Sequence, residues 1–279
     1  MLDLPAGPRW ETAFSTLGCP EADAAEVAEL ARSSGCTGVE LRCAPPEGLL
    51  TPESTAAERS RLVARLGRAG VRGLWVSSYL RAADVSTGDE EWTAQLDALV
   101  RLATDIGALG IRLFPGARQP GPLADAVAVR RLRTAAARMS DTGPRLLLET
   151  HDSHPRATDV ARVLAAVDHP SVGAVWDVLH TWRAGESCAL SATVLDPWLY
   201  HVQIKDVATR DDLRPVLPGQ GTVPLHEVPA ALAAVGYRGW LCLEWEKRWF
   251  PDAPGLPEAL RHAAGVLERT VPLLPHTTL

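Results

Sequence analysis

The amino-acid sequence predicts an α/β fold, a closed (β/α)8 barrel. Eight short apolar segments alternate along the chain with amphipathic helical segments, and several of these helical segments are followed by a glycine turn. Eight β/α units within about 250 residues are typical of a closed parallel barrel. An open doubly wound sheet would carry a glycine-rich fingerprint after its first strand, and Leu17-Gly18-Cys19-Pro20 does not provide one.

The first half of the chain sets this pattern. The first strand is predicted at 13–17, and the helix after it at 21–34 places Ala24, Val27, Ala28 and Ala31 on one face. The elements that follow are a strand at 39–41, a helix at 60–69, a strand at 71–77, a helix at 91–106 and a strand at 110–114. Glycine after a helix is the expected left-handed cap before the next strand.

The second half continues the alternation. Helices are predicted at 124–140 and 157–167, and strands at 146–149, 172–177, 199–205 and 240–244. Two long loops, Cys43–Thr55 and Val207–Pro224, follow strands two and seven, and in a barrel both open onto the face that carries active sites. We find no linker, so residues 1–279 are predicted to form a single barrel domain.

Composition excludes several classes of function. A net charge of −6 and a pI near 5.8 argue against a surface for nucleic acid or anionic membranes. No apolar run approaches the roughly 20 residues needed to span a bilayer, and the N-terminus lacks the basic and apolar parts of a signal peptide. Five scattered cysteines favour reduced thiols and a cytoplasmic location.

Three apolar strands each end in a carboxylate. Leu146-Leu147-Leu148 is followed by Glu149, and the strands at 172–176 and 240–243 are followed by Asp177 and Glu244. A carboxylate that reaches solvent explains any one of them, but a buried unpaired charge costs several kcal/mol. Since a barrel brings all its strand ends to one mouth, the recurrence predicts a shared cation.

The seventh strand adds neutral donors to this set. By alternation His201, Gln203 and Lys205 point to one side of the strand, which we predict to be the barrel interior. Three carboxylates with one neutral oxygen or nitrogen donor suit Mn²⁺ or Mg²⁺, and Zn²⁺ or Co²⁺ if an imidazole takes part.

Six segments in order resemble one known family. They are Thr37-Gly38-Val39-Glu40-Leu41-Arg42, Leu148-Glu149-Thr150-His151, Trp176-Asp177-Val178-Leu179-His180, His201-Val202-Gln203-Ile204-Lys205-Asp206, Gly219-Gln220-Gly221 and Gly239-Trp240-Leu241-Cys242-Leu243-Glu244-Trp245-Glu246. Together they resemble the sugar phosphate isomerase/epimerase family, the xylose isomerase-like TIM barrels. Ketose 3-epimerases, hydroxypyruvate isomerases and inosose dehydratases belong to this group, and apurinic-site endonucleases are more distant members.

The resemblance implies one divalent metal at the barrel mouth, with Glu149, Asp177 and Glu244 as ligands. The family's fourth ligand is commonly the second histidine of a His-x-His-x-Lys-Asp motif, where this chain has Gln203. We predict Gln203 as the fourth ligand, with His201 below it or in its place. The amide oxygen favours Mn²⁺, with Mg²⁺, Co²⁺ and Zn²⁺ as the other candidates.

The resemblance also implies the chemistry. The predicted function is an isomerase or epimerase of a sugar, keto-sugar or cyclitol, in which a proton is abstracted next to a metal-bound carbonyl to give an enediolate. The family's epimerases use their first and fourth ligands as acid and base, which correspond to Glu149 and Glu244. The alternative is a lyase that eliminates water or an alkoxide from a β-substituted ketone at the same site.

Six further residues are candidates for binding substrate: Arg42, His151, His180, His201, Lys205 and Glu246. Each also has a structural interpretation. Arg42 could form a salt bridge with Glu40 or another acid at the rim, His180 could cap a helix, and Lys205 could pair with a barrel carboxylate.

Two other classes of function stay open at this point. A metal-dependent endonuclease would need additional histidines and a basic groove, and the net negative charge argues against it. A binding barrel without catalysis is the other. No glycine-rich phosphate cradle follows strands seven and eight apart from Gly219-Gln220-Gly221, so a non-phosphorylated small molecule is favoured as substrate. Barrels of this kind often pair, and a homodimer is therefore expected.

Overall fold

The computed structural model describes residues 10–270, in which eight parallel strands close into a barrel. The strands are β1 (Glu11–Ser15), β2 (Gly38–Cys43), β3 (Arg72–Arg81), β4 (Gly110–Phe114), β5 (Arg145–Glu149), β6 (Val172–Asp177), β7 (Leu199–Ile204) and β8 (Trp240–Leu243). They pair in chain order, and β8 returns to β1 with Trp240 opposite Glu11. This closure confirms the predicted α/β class and the (β/α)8 topology.

Nine α-helices lie within the described residues. They are α1 (Ala24–Ser33), α2 (Ala56–Arg68), α3 (Asp89–Asp105), α4 (Pro122–Ala136), α5 (Ala157–Val167), α6 (Val178–Arg183), α7 (Cys188–Leu195), α8 (Val228–Ala234) and α9 (Leu256–Thr270). The predicted face of α1 is largely confirmed, since Val27, Ala28 and Ala31 are buried. None of the described helices is long and apolar enough to cross a membrane.

Several element boundaries differ from the predicted ones because of local capping. Helix α1 begins at Ala24 rather than at 21, since the Asp23 carboxylate accepts hydrogen bonds from the amides of Ala25 and Glu26. Strand β1 ends at Ser15, and a 3₁₀ turn, Thr16–Gly18, follows it. The predicted domain spans residues 1–279, of which the first nine and the last nine lie outside the described part.

The barrel interior changes from apolar to polar along the strands. Its lower part is an apolar cluster: Ala13, Leu74, Trp75, Leu147, Val175 and Cys242. The Trp75 ring stacks on His201, with centroids 3.9 Å apart and planes 20° apart. From His201 towards the strand ends, the interior side chains are polar or charged, and the acidic candidates lie at the end of the barrel where the strands finish.

Candidate active site

Three carboxylates meet at the floor of the barrel mouth. Glu149 ends β5, Asp177 ends β6 and Glu244 follows β8, so strand topology alone brings them together. One oxygen atom from each lies within 4.8 Å of the others. Glu149 and Asp177 are fully buried, and Glu244 is 5% exposed. Such a set of buried like charges requires cations nearby.

Arg112 in β4 supplies one of those cations. Its Nη1 donates to Glu149 Oε2 at 2.8 Å, and its guanidinium lies 3.9 Å from the centre of the Phe114 ring. Burial raises the pKa of Glu149 to about 7, and the neighbouring charges of Glu244 and Asp177 also raise it, against the opposing charges of Arg112 and His151. The result is a carboxyl group that can exchange a proton near neutral pH.

Lys205, just beyond β7, supplies the second cation. Its Nζ lies 2.9 Å from Asp177 Oδ2 and 2.9 Å from Glu246 Oε1, and it also contacts Glu244 Oε2. Burial alone would lower the pKa of Lys205, but these carboxylates hold it well above its usual value. The contact with three acids confirms the ion-pair interpretation given to this inward lysine.

Gln203 lies beside the carboxylates with its amide oxygen free. Gln203 Nε2 donates to Glu40 Oε2 at 2.9 Å and to Glu244 Oε1 at 3.2 Å. This fixes the amide orientation and turns Oε1 away from those acids. His201 lies two residues deeper, fully buried, with Nε2 2.7 Å from Glu40 Oε2. The structure therefore does not bring His201 to the wall of the pocket.

The donor set at the floor fits a divalent metal. Among the described residues, no hydrogen-bond donor reaches Glu149 Oε1 or Gln203 Oε1, although both atoms are buried. Asp177 Oδ2 has the ion-pair contact with Lys205 but no hydrogen bond of good geometry. Since a buried polar atom without a partner is costly, the free oxygens of Glu149 and Gln203, beside the cluster of Glu149, Asp177 and Glu244, suit a hard divalent cation.

Two histidines stand beside this floor. His151 Nδ1 lies 2.8 Å from Asp152 Oδ1, and the rings of His151 and His180 are 4.0 Å apart. Burial alone would lower the pKa of His151, but Glu149 and Asp152 raise it. Burial, aided by the charges of His151 and Lys205, lowers the pKa of His180 well below its usual value. The two imidazoles therefore differ in proton affinity: His151 holds a proton more readily than His180 and is the one of the two that can carry a proton into the site.

A pocket of about 620 Å³ opens above these groups. Six predicted site residues line it: Arg42, His151, His180, Lys205, Glu244 and Glu246. Arg42 does not pair with Glu40, since its Nε donates to the Tyr79 hydroxyl at 2.9 Å and its Nη1 to Glu47 Oε2 at 3.1 Å. It thus forms a salt bridge with a different acid of the rim, which was one of the two interpretations.

Sequence reasoning did not identify three residues of the site: Glu40, Tyr79 and Arg112. Glu40 and Arg112 are charged residues in the middle of largely apolar strands, and that pattern was the available signal. Burial alone would raise the pKa of Glu40, but the hydrogen bond and charge of His201 and the charge of Arg112 lower it to about 2. Tyr79 carried no comparable signal, because nothing in a sequence shows that a tyrosine hydroxyl meets Arg42.

Comparison with known proteins identifies the family. The model of the xylose isomerase-like TIM barrel family matches residues 28–269. The chain belongs to this family. The match confirms the resemblance drawn from the six motifs. Those motifs contain most of the residues at the pocket floor: Glu149, Asp177, Gln203, Lys205 and Glu244.

Three relatives illustrate the range of the xylose isomerase-like barrels. A 3-dehydroshikimate dehydratase from Bacillus anthracis is 26% identical over 216 residues, which are 72% of this chain and 76% of the relative. The structure of D-psicose 3-epimerase with D-tagatose, from Clostridium cellulolyticum H10, has a TM-score of 0.74 at 18% identity and covers 93% of this chain and 98% of that one. The IOLI protein with a binding zinc atom has a TM-score of 0.76 at 16% identity and covers 94% and 98%.

Proposed function

We propose that this protein is a divalent-metal-dependent enzyme that removes a proton from the carbon next to the carbonyl group of a sugar, keto-sugar or cyclitol. The observation that carries this proposal is the convergence of the buried carboxylates of Glu149, Asp177 and Glu244, with one oxygen atom of each within 4.8 Å of the others. The Oε1 atoms of Glu149 and Gln203 are buried and have no hydrogen-bond partner among the described residues. Glu149, Asp177, Gln203 and Glu244 would hold the metal, with Mn²⁺ as the first candidate. When bound, such an ion would polarise the carbonyl and make the adjacent C–H more acidic.

Glu149 is the proposed base. Its carboxylate takes the proton from the carbon, and the electron pair of that C–H bond moves towards the carbonyl. Burial raises the pKa of Glu149 in the metal-free protein, and a carboxylate with a raised pKa is a stronger base. The Arg112 guanidinium keeps the carboxylate in place through its 2.8 Å hydrogen bond.

Of the two net reactions, the geometry favours elimination. His151 and His180 lie on the side of Glu149, since one ligand atom from each of the three residues lies within 4.8 Å of the others. A hydroxyl on the next carbon would leave as its C–O bond breaks, take a proton from His151 and depart as water, while a C=C bond forms. No oxidant or reductant is needed. The dehydratase activity of the Bacillus anthracis relative supports this choice.

Epimerisation or isomerisation is the second candidate. A carboxylate on the far side of the carbon would return the proton, and Glu244 is the available group, with an oxygen within 4.8 Å of those of Glu149 and Asp177. Both oxygens of Glu244 already receive a side-chain donor, one from Gln203 and one from Lys205. Proton return by Glu244 therefore requires that at least one of these contacts opens.

The test is a substrate screen by NMR in D₂O with Mn²⁺ present, over keto-sugars, inososes and related β-hydroxy ketones. We expect deuterium at the carbon next to the carbonyl and an enone that absorbs in the ultraviolet. Glu149→Gln should lower both rates about 10³-fold, whereas the matched variant of an exposed residue on α3, Glu90→Gln, should not. An epimer without enone would select the second candidate. Neither exchange nor enone in a metal-loaded protein would refute the proposal.

Two broader expectations from sequence remain part of this proposal. We place the enzyme in the cytoplasm, with five free thiols, and expect a homodimer. Light scattering of the purified protein would measure the oligomeric state directly, and a monomer at micromolar concentration would rule out a stable dimer.

A further inference from the structure

We propose that an arginine-lined groove beside the active-site pocket binds an oxyanion, a phosphate or a carboxylate, that the substrate carries away from its reacting carbons. This inference rests on the proposed function, because it adds a property of the substrate. The groove has a volume of about 580 Å³ and lies where the loops after β4 and β5 meet the end of β3. We call it the arginine groove and define it by Arg81, Arg118, Arg156 and Arg162.

Most of the positive charge in the arginine groove is uncompensated. Within the described residues, neither Arg118 nor Arg156 makes an ion pair, and the nearest carboxylate oxygen to Arg81, on Asp84, is 4.0 Å away. Arg162 differs, since Asp125 and Asp159 lie 2.6 and 3.0 Å from it. The guanidinium groups of Arg118 and Arg156 are therefore available to a ligand, and Arg81 has only this long contact with Asp84.

The two acids that line the groove, Asp152 and Asp159, already have partners. Asp152 Oδ1 lies 2.8 Å from His151 Nδ1, and Asp159 is paired with Arg162. The first-turn amides of α5 are also occupied, because Ala157 N and Thr158 N donate to the Glu186 carboxylate. The groove therefore offers an anion side-chain guanidinium groups rather than a helix terminus. Guanidinium groups match the planar oxygen pairs of carboxylate and phosphate.

Arg81 connects the groove with the active site. Together with Asp152 and Pro155 it lines both the groove and the pocket above Glu149. Its side chain lies directly on Gly116, where an added Cβ would come within 2.5 Å of Arg81 Cγ and Cδ. The loop after β4 thus supports Arg81 from below at a glycine with φ of +66°, and a ligand in the pocket can extend past Arg81 into the groove.

The glycine-rich turn does not compete for this role. The amides of Gly219 and Gly221 donate to Asp206 Oδ2 at 2.8 and 2.9 Å, so this turn is closed by a carboxylate of the chain itself. A turn whose amides already hold a carboxylate is not open to a phosphate. The expectation of a non-phosphorylated substrate rested on the lack of a glycine-rich phosphate cradle other than this turn, and the arginine groove provides a different place for an anion.

The test compares oxyanion binding by three full-length proteins with their metal bound. Inorganic phosphate and acetate are titrated separately by calorimetry at low ionic strength into wild type, Arg118→Gln/Arg156→Gln and a matched control, Arg61→Gln/Arg101→Gln. The control changes two exposed arginines on α2 and α3 and the same net charge. We expect the groove variant to bind at least tenfold more weakly than wild type, and the control to stay within twofold. Tighter binding of phosphate than of acetate would identify a phosphate site, and the reverse a carboxylate site.

Each outcome bears on one proposal. Three results would overturn the proposed anion site in the groove: equal affinity in all three proteins, equal weakening in both variants, or no binding of either anion. Because the titration needs no turnover, it separates the two proposals: solvent exchange without anion binding refutes the groove alone, and anion binding without exchange in any substrate refutes the proposed function. With an active anionic substrate, the groove variant should raise KM at least tenfold and leave kcat within twofold.

Discussion

Arg112 Nη1 lies 2.8 Å from Glu149 Oε2, and the two side chains are only 4% and 1% exposed. A buried pair of this kind is strongly destabilising when one partner is removed, because the other charge loses both water and its counter-ion. The pair joins neighbouring strands β4 and β5 at the pocket floor. It is therefore both a structural contact and the support of the proposed base.

The first prediction uses this pair in a double-mutant cycle. Arg112→Met should lower the free energy of unfolding by about 3–5 kcal/mol, and adding Glu149→Gln should recover part of that loss, because the unpaired carboxylate is then removed. Urea denaturation at neutral pH measures the free energy of unfolding of the metal-free wild type, both single variants and the double variant. Additive effects of the two substitutions would show that the pair contributes no coupling.

The second prediction concerns the amide oxygen of Gln203. Gln203→Leu keeps a similar volume but removes the free acceptor, so the protein should bind Mn²⁺ at least tenfold more weakly. Gln203→His should retain metal and shift the preference towards Zn²⁺, since an imidazole nitrogen suits softer ions. Metal content and competitive titration provide the measurement, with the exposed Gln95→Leu as control. Unchanged Mn²⁺ affinity in the leucine variant would remove Gln203 from the ligand set.

The third prediction separates proton abstraction from elimination. If His151 protonates the leaving hydroxyl, His151→Asn should slow enone formation roughly 10²–10⁴-fold and leave deuterium exchange at the neighbouring carbon much less affected. Exchange and elimination are followed together by NMR in D₂O. The control is His226→Asn, at a residue whose side chain is 70% exposed. Equal slowing of both steps would instead assign His151 to positioning of Glu149.

The fourth prediction concerns acid stability through Asp125 in α4. Asp125 Oδ1 lies 2.8 Å from the buried His154 Nε2, and its Oδ2 accepts from Arg162 Nε at 2.6 Å. Burial alone would raise the pKa of Asp125, but these two partners lower it below its usual 3.8. A carboxyl with a lowered folded pKa stabilises the fold above its unfolded value, and that contribution disappears as pH falls through the folded pKa.

Asp125→Asn should therefore lower the free energy of unfolding by ~1–3 kcal/mol near neutral pH. This difference from wild type should shrink as the pH falls below about 4, because the usual pKa of an aspartate is 3.8 and that of Asp125 is lower. Thermal or urea unfolding across pH gives the measurement. Asp97→Asn, which removes an exposed pair with Arg138, should cost less than about 1 kcal/mol. A difference that grows on acidification would contradict the assignment.

Much of the fold was predictable because each signal is local. Apolar strands buried on both faces, amphipathic helices and glycine caps fix the order of elements without reference to distant residues. The boundaries were less predictable: α1 begins three residues later than expected because Asp23 caps it. Helices α6 to α9, after β6, were not anticipated. In α7 the apolar residues do not gather on one face.

The sequence alone determined the barrel class and the convergence of Glu149, Asp177 and Glu244, because closure of a parallel sheet brings every strand end to one mouth. Tertiary structure decided the partners: Arg112 for Glu149, Lys205 for Asp177, Glu244 and Glu246, and Glu40 for both His201 and Gln203. Those choices depend on distances of a few ångströms between side chains up to 163 positions apart. No local pattern encodes them, since Coulomb attraction and hydrogen bonding act through space and not along the chain.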